Sequence, residues 1–301
     1  MVSDFMFVEF TVNDIDIIVY RDDLNHPKVS GNKLHKLSPN IDLAKERECS
    51  CILSFGGPYS NHLHALAWAS REAGIDCIGG IRGELNQQLT PTLKDCLNWG
   101  MQMVPIHRDT FRNIRQALLL NNRVKLASEL KKELNGLDIH NPDKTLVLPE
   151  GGSNQQAIKS LSQAYKSVFD QLSPKNITHV VCSSGTGATI AGLYLASPPQ
   201  TKIIGMQAVA EQNATFQRIQ AWLKRPLNRL SIVESHLGRF GKITPELKKF
   251  IESFELEFGI PLDPIYTGKA MMKLMDKIEQ GFFNNSDRIL FIHTGGLQGK
   301  R

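Results

Sequence analysis

Five segments of this chain carry the residue types that could do covalent or anion-binding chemistry. The first is Ser30-Gly31-Asn32-Lys33-Leu34-His35-Lys36. A lysine that forms a Schiff base must be positioned, partly desolvated and open to a ligand. Lys33 follows a polar turn and precedes a helix expected to start near Pro39, with Asn32 beside it to orient the amine. A surface lysine in a loop would look the same. The second segment is Phe55-Gly56-Gly57-Pro58-Tyr59-Ser60-Asn61-His62. Paired glycines let backbone approach a ligand, Ser60 is a natural N-cap, and the helix start beyond it attracts anions. An ordinary strand-to-helix turn has the same make-up.

The third segment is the most specific. Val180-Val181-Cys182 runs as a strand into Ser183-Ser184-Gly185-Thr186-Gly187-Ala188-Thr189, which opens a helix. Small residues let N–H groups converge, hydroxyls add donors, and the helix dipole favours a dianion. No Gly-Lys-Ser/Thr follows, so it is not a P-loop; Ile190 and Gln207 depart from a dinucleotide fingerprint. A lone phosphate monoester suits it, and a tightly packed glycine turn is the alternative. The fourth segment, Asp263-Pro264-Ile265-Tyr266-Thr267-Gly268-Lys269, opens a helix and offers the Tyr266 ring and hydroxyl. The fifth, Phe291-Ile292-His293-Thr294-Gly295-Gly296, sets the Thr294 hydroxyl at the end of a strand. His62 and His64 lie two apart on a helix, point to different faces and make a poor metal pair, so no metal is expected.

The elements that must position these residues alternate. Phe7–Val12 and Ile15–Tyr20 read as a hairpin about Asn13-Asp14. Short apolar strands are expected at Cys51–Phe55, Asp76–Ile81, Met101–Ile106, Thr145–Leu148, Thr178–Cys182, Lys202–Gln207 and Arg288–His293. Helices are expected to begin near Ser60, Pro91, Thr110, Asn154, Thr186, Ala214, Thr244 and Thr267. This alternation predicts an α/β fold with two open, twisted, mainly parallel sheets flanked by helices. The expected division is a small domain over 41–147 and a large one formed by 1–40 and 148–301.

The composition agrees. The chain has 301 residues, 41% hydrophobic and 22% charged, with net charge +5. No basic cluster interleaved with aromatics appears, which argues against a nucleic-acid partner. The longest charge-free stretch, Asn176 to Thr201, carries His179, three glycines and two prolines, so no membrane span is expected. Five scattered cysteines (Cys49, Cys51, Cys77, Cys96 and Cys182), without a CxxC pair, read as reduced thiols of a cytoplasmic protein.

Taken in order, the five segments resemble the family of 1-aminocyclopropane-1-carboxylate deaminase and D-cysteine desulfhydrase, pyridoxal-phosphate enzymes of the tryptophan-synthase-β type (fold type II). The resemblance runs from Tyr20-Arg21-Asp22-Asp23 to the terminal His-Thr-Gly-Gly. It implies that Lys33 binds the cofactor covalently and that Asn61 bonds its phenolic oxygen. It implies that Ser60 holds the substrate carboxylate or assists at the reacting carbon. Ser184, Gly185, Thr186, Gly187, Ala188 and Thr189 fall on the phosphate loop, Tyr266 stands near ring and substrate, and Thr294 near the pyridine nitrogen. A homodimer is also implied.

Three positions depart from the family pattern. Thr267 stands where the deaminase branch is expected to carry a glutamate, which leaves the ring a weaker electron sink and favours β-elimination over cyclopropane opening. Arg239-Phe240-Gly241 replaces Gly-Tyr-Gly, and Tyr59 stands where glutamine is expected. The expected activity is that of a lyase or hydrolase releasing pyruvate, ammonia and sulfide from a substrate of the D-cysteine type. The alternatives are deamination of 1-aminocyclopropane-1-carboxylate to 2-oxobutanoate, a cofactor-binding homologue with another substrate or no turnover, and a nicotinamide oxidoreductase using the 185–192 loop.

Overall fold

The computed structural model describes residues 4–85, 88–133, 144–208, 213–238 and 241–300. In chain order the first half gives β1 (Phe7–Val12), β2 (Ile15–Tyr20), α1 (Asn32–Glu46), β3 (Cys51–Gly56), α2 (Asn61–Ala73), β4 (Asp76–Arg82), α3 (Pro91–Asn98), β5 (Gln102–Ile106), α4 (Arg108–Leu119), α5 (Arg123–Glu133) and β6 (Thr145–Val147). The second half gives α6 (Gln155–Leu172), β7 (His179–Ser184), α7 (Ala188–Ala196), β8 (Lys202–Gln207), α8 (Ala214–Leu223), β9 (Leu230–Glu234), α9 (Pro245–Phe258), α10 (Thr267–Glu279) and β10 (Arg288–Ile292). Contacts divide the chain into one unit of Met1–His35 with Ile158–Lys300 and another of Lys36–Ala157.

The first unit holds a six-stranded sheet in the order β1-β2-β10-β7-β8-β9. β1 and β2 pair antiparallel across Asn13 and Asp14, whose φ of 48° and 63° are those of a tight hairpin turn. Every other pairing is parallel. Side chains of a strand alternate between faces. Leu290 and Ile292 of β10, with Val180 and Cys182 of β7, enter a core with Ile158, Leu161 and Tyr165 of α6 and Ile190 of α7. Ile289 and Phe291, with Val181, enter the opposite core with Leu247 and Ile251 of α9 and Leu274 of α10. Both faces are covered, which is why these strands read as unbroken apolar runs. Each such buried aliphatic chain contributes about 1.5–3 kcal/mol.

The second unit holds a four-stranded, wholly parallel sheet in the order β5-β4-β3-β6. Leu53, Phe55, Ile78, Val104 and Ile106 pack against Phe111 and Ile114 of α4. Two mainly parallel sheets flanked by helices are the fold the sequence predicts. Among the described residues no helix is long and apolar enough to cross a membrane.

Local differences have local causes. α1 starts at Asn32 and runs through Pro39, so Lys33 stands in its first turn and not ahead of the helix. Pro39 lacks an N–H and disfavours a helix interior by about 3 kcal/mol. Within that turn Asn40 Nδ2 donates to the Lys36 carbonyl at 2.7 Å, an added side-chain tie next to the proline. α7 starts at Ala188, two residues beyond Thr186, because Gly187 takes a left-handed φ of 97°.

Candidate active site

The turn before Lys33 is tied to a buried carboxylate. Asp22 Oδ1 accepts from Asn25 Nδ2 and lies 2.9 Å from His35 Nε2, while Oδ2 accepts from the Tyr165 hydroxyl at 3.0 Å. Asn25 passes this on, accepting from the Gly31 N–H at 2.9 Å and donating to the Gly31 carbonyl at 3.1 Å. Gly31 has φ 67°, and a Cβ there would stand 2.1 Å from the Thr294 carbonyl oxygen, so only glycine fits. Burial lowers the His35 imidazole, but the Asp22 carboxylate outweighs it and holds the group above its ordinary value. Burial raises the Tyr165 hydroxyl well above the usual phenol range, with Asp22 adding to it.

Lys33 then leaves the turn with its amine held. Nζ donates to Asn32 Oδ1 at 2.6 Å, and Asn32 Nδ2 donates to Thr189 Oγ1 at 2.9 Å. The residue keeps partial solvent access, yet protein around the amine lowers its pKa to about 8, against the opposing pull of Asp263 and Asp22.

Thr189 belongs to the glycine loop at the carboxyl end of β7. No side chain caps α7, and among the described residues the N–H groups of Gly187, Ala188 and Thr189 find no backbone acceptor. Ser184 Oγ is buried without a hydrogen-bond partner. A Cβ at Gly185 would lie 3.4 Å from the Tyr266 ring. Thr294, at the carboxyl end of β10, sets its hydroxyl 3.1 Å from that of Ser183, next in sequence to Ser184. Lys33, the 184–189 loop, Tyr266 and Thr294 are thus brought together in one unit by short links, where parallel α/β sheets bind ligands.

Asp263 shapes the Tyr266 turn. Its Oδ1 accepts from the N–H groups of Ile265 and Tyr266, and its Oδ2 from the N–H and hydroxyl of Thr267, all within 2.8–2.9 Å. The Asp263 N–H donates back to Thr267 Oγ1 at 2.9 Å. The single hydroxyl proton of Thr267 is therefore committed to Asp263.

The second unit carries Ser60 and Asn61 at the carboxyl end of β3. Ser60 Oγ caps α2 by accepting from the Leu63 N–H at 3.2 Å, which leaves its own proton for another acceptor. Asn61 opens the helix and is half-buried. His62 and His64 are core residues: His62 Nε2 lies 2.7 Å from Ser54 Oγ, and His64 Nε2 lies 3.0 Å from Asp95 Oδ2 with its ring against Trp99. No group of metal-ligating side chains occurs among the described residues.

The motifs contained Asp22, His35 and Asp263 without giving them a role, and Tyr165 lay outside them. Tyr165 stands 143 residues from Asp22, and no local pattern reports such a partner. The Arg239-Phe240 departure lies outside the described residues.

Fold and constellation place a lysine of lowered pKa in the same unit as a glycine loop at the carboxyl end of a parallel strand. The chain belongs to the family of pyridoxal-phosphate dependent enzymes, which it matches over residues 11–295. A Thermotoga maritima protein named "Putative 1-aminocyclopropane-1-carboxylate deaminase" is 30% identical, over 94% of this chain and 89% of the relative. A Pyrococcus abyssi protein of the same name is 29% identical, over 95% and 86%. A crystal structure described as an ACC deaminase homologue superposes with TM-score 0.78 at 26% identity, covering 95% of this chain and 86% of that one. A hydrogen sulfide-producing enzyme from Fusobacterium nucleatum, 12% identical with TM-score 0.65 over 97% and 95% of the chains, shares the fold.

Proposed function

We propose that this enzyme eliminates the β-substituent of a small amino acid of the D-cysteine type, giving pyruvate, ammonia and sulfide. The observation that carries the reading is that position 267 holds a threonine, not an acid, and that its one hydroxyl proton is committed to Asp263 and so is not offered to a pyridine nitrogen. A weakly activated ring suits expulsion of a good leaving group such as thiolate better than opening of a cyclopropane.

The residues of the first unit fit the cofactor. The orphaned buried Ser184 hydroxyl and the unengaged N–H groups of 187–189 suit a phosphate monoester. Lys33 is the amine to hold the aldehyde carbon, with Tyr266 and Thr294 to bound the ring; the resemblance gives the ring oxygen to Asn61 of the second unit. Bound pyridoxal phosphate supplies the electron sink for charge left when the α-proton departs.

The chain's own groups do the remainder. Lys33 Nζ, with a pKa of about 8, carries a usable neutral fraction near neutrality and takes the proton from the substrate's α-carbon. Asn32 aims the amine and relays its position to Thr189. The resemblance gives the substrate carboxylate to Ser60, whose hydroxyl accepts from the Leu63 N–H and keeps its own proton as a donor. Water completes the balance: cysteine and one water give pyruvate, ammonia and hydrogen sulfide.

The test adds pyridoxal phosphate to the purified protein, records its visible spectrum, then titrates D-cysteine and 1-aminocyclopropane-1-carboxylate in parallel. The expected result is a visible band that D-cysteine shifts, with pyruvate and sulfide in equal amounts, and a band absent from Lys33→Ala. Release of 2-oxobutanoate from the cyclopropane substrate, with D-cysteine inert, would overturn the reading in favour of deamination.

A further inference from the structure

The glycine loop is braced from α8. Arg218 donates to the carbonyl oxygen of Thr186 at 2.7 Å. On the same helix, Thr215 and Ile219 crowd the next residue: a Cβ at Gly187 would stand 3.0 Å from Ile219 Cγ1 and 3.2 Å from Thr215 Cγ2. Thr215 is buried, and its hydroxyl has no hydrogen-bond partner.

A trans peptide is planar, with its carbonyl and N–H on opposite sides. With the Thr186 carbonyl drawn toward Arg218, the Gly187 N–H must point away from it, and it finds no backbone acceptor among the described residues. A peptide that precedes a glycine has two sterically allowed orientations, since glycine accepts φ of either sign, and Gly187 here takes φ 97°. Rotation would replace an N–H donor with a carbonyl, which repels an anion.

We propose that Arg218 is a positioning residue for phosphate: it locks the Thr186–Gly187 peptide so that the Gly187 N–H joins those of Ala188 and Thr189 as one donor set. Arg218 acts through the Thr186 carbonyl and need not touch the phosphate. The proposal rests on the assignment of 184–189 as the phosphate loop.

The test uses the full-length protein freed of cofactor. Wild type and Arg218→Met are titrated with pyridoxal phosphate and with pyridoxal, followed by absorbance, and with inorganic phosphate by calorimetry. Arg218→Met should weaken pyridoxal phosphate and inorganic phosphate about tenfold or more while pyridoxal changes by less than about twofold. Arg218→Lys, which keeps a charged donor, should recover part of the loss. Equal losses for pyridoxal and pyridoxal phosphate would reduce Arg218 to a structural role, and unchanged phosphate affinity would remove the lock; either overturns the proposal. If Arg218→Met loses the circular dichroism of the folded chain, Arg218→Gln replaces it with the same expectation. A wild type that binds pyridoxal phosphate no better than pyridoxal would instead overturn the phosphate-loop assignment.

Discussion

Asp22 is the residue on which the lysine's position turns. Its two oxygens serve Asn25, His35 and Tyr165, and Asn25 fixes Gly31 two residues before Lys33. Removing one partner of a buried charged network leaves the others uncompensated. Asp22→Asn should therefore cost about 3 kcal/mol in urea unfolding. It should also lower the Lys33 pKa below about 8, because the Asp22 charge is one of those holding it up. The pH midpoint for capture of pyridoxal phosphate by the lysine reads this directly; an unmoved midpoint would show that Asp22 supports only the turn. At this scale the sequence singled out the candidates Lys33 and the 184–189 loop, because their neighbours are small and local. Their supports were hidden, since Asp22 meets Tyr165 and Asn32 meets Thr189 over separations of 143 and 157 residues.

Among the elements, the Gly31 turn and the segment just after β10 are pressed backbone to backbone. A Gly31→Ala side chain would meet the Thr294 carbonyl and carbon at 2.1 and 2.4 Å in a left-handed conformation. The expected cost is about 3 kcal/mol or more, from strain and overpacking together. The measurement is the unfolding midpoint, with the visible cofactor band as second readout; a stable Gly31→Ala protein holding cofactor normally would show that the turn can withdraw from β10. Most strands and helices were legible because the sheet strands are apolar on both faces and the helices carry caps such as Ser60 and Thr244. β9 escaped notice as a half-exposed edge strand, and α5 as a polar helix with Glu129 its single described buried residue. Both lack the contrast between faces that periodicity detects.

For the whole molecule, two groups at the same turn impose opposite pH trends on the cofactor-free protein. His35 titrates above its ordinary 6.5 when folded, so its contribution is fully present below 6.5 and is lost as pH rises through the raised value. Lys33 titrates near 8 when folded and at its ordinary 10.5 when unfolded. Over that interval the unfolded chain binds the extra proton, so stability rises with pH. Denaturant unfolding against pH should show a sag above 6.5 and a recovery beyond about 8. His35→Gln should erase the sag and Lys33→Met the recovery; a flat profile in the parent protein would contradict both assignments.

The Asp263–Thr267 ring also bears on how such enzymes can change their chemistry over time. An acid placed at position 267 would remove one of the four donors to Asp263, the threonine hydroxyl, and bring a second carboxylate near a fully buried one. Two like charges so confined repel strongly. Acquiring an acid at position 267 would therefore loosen the turn that presents Tyr266, unless another donor took the place of the lost hydroxyl.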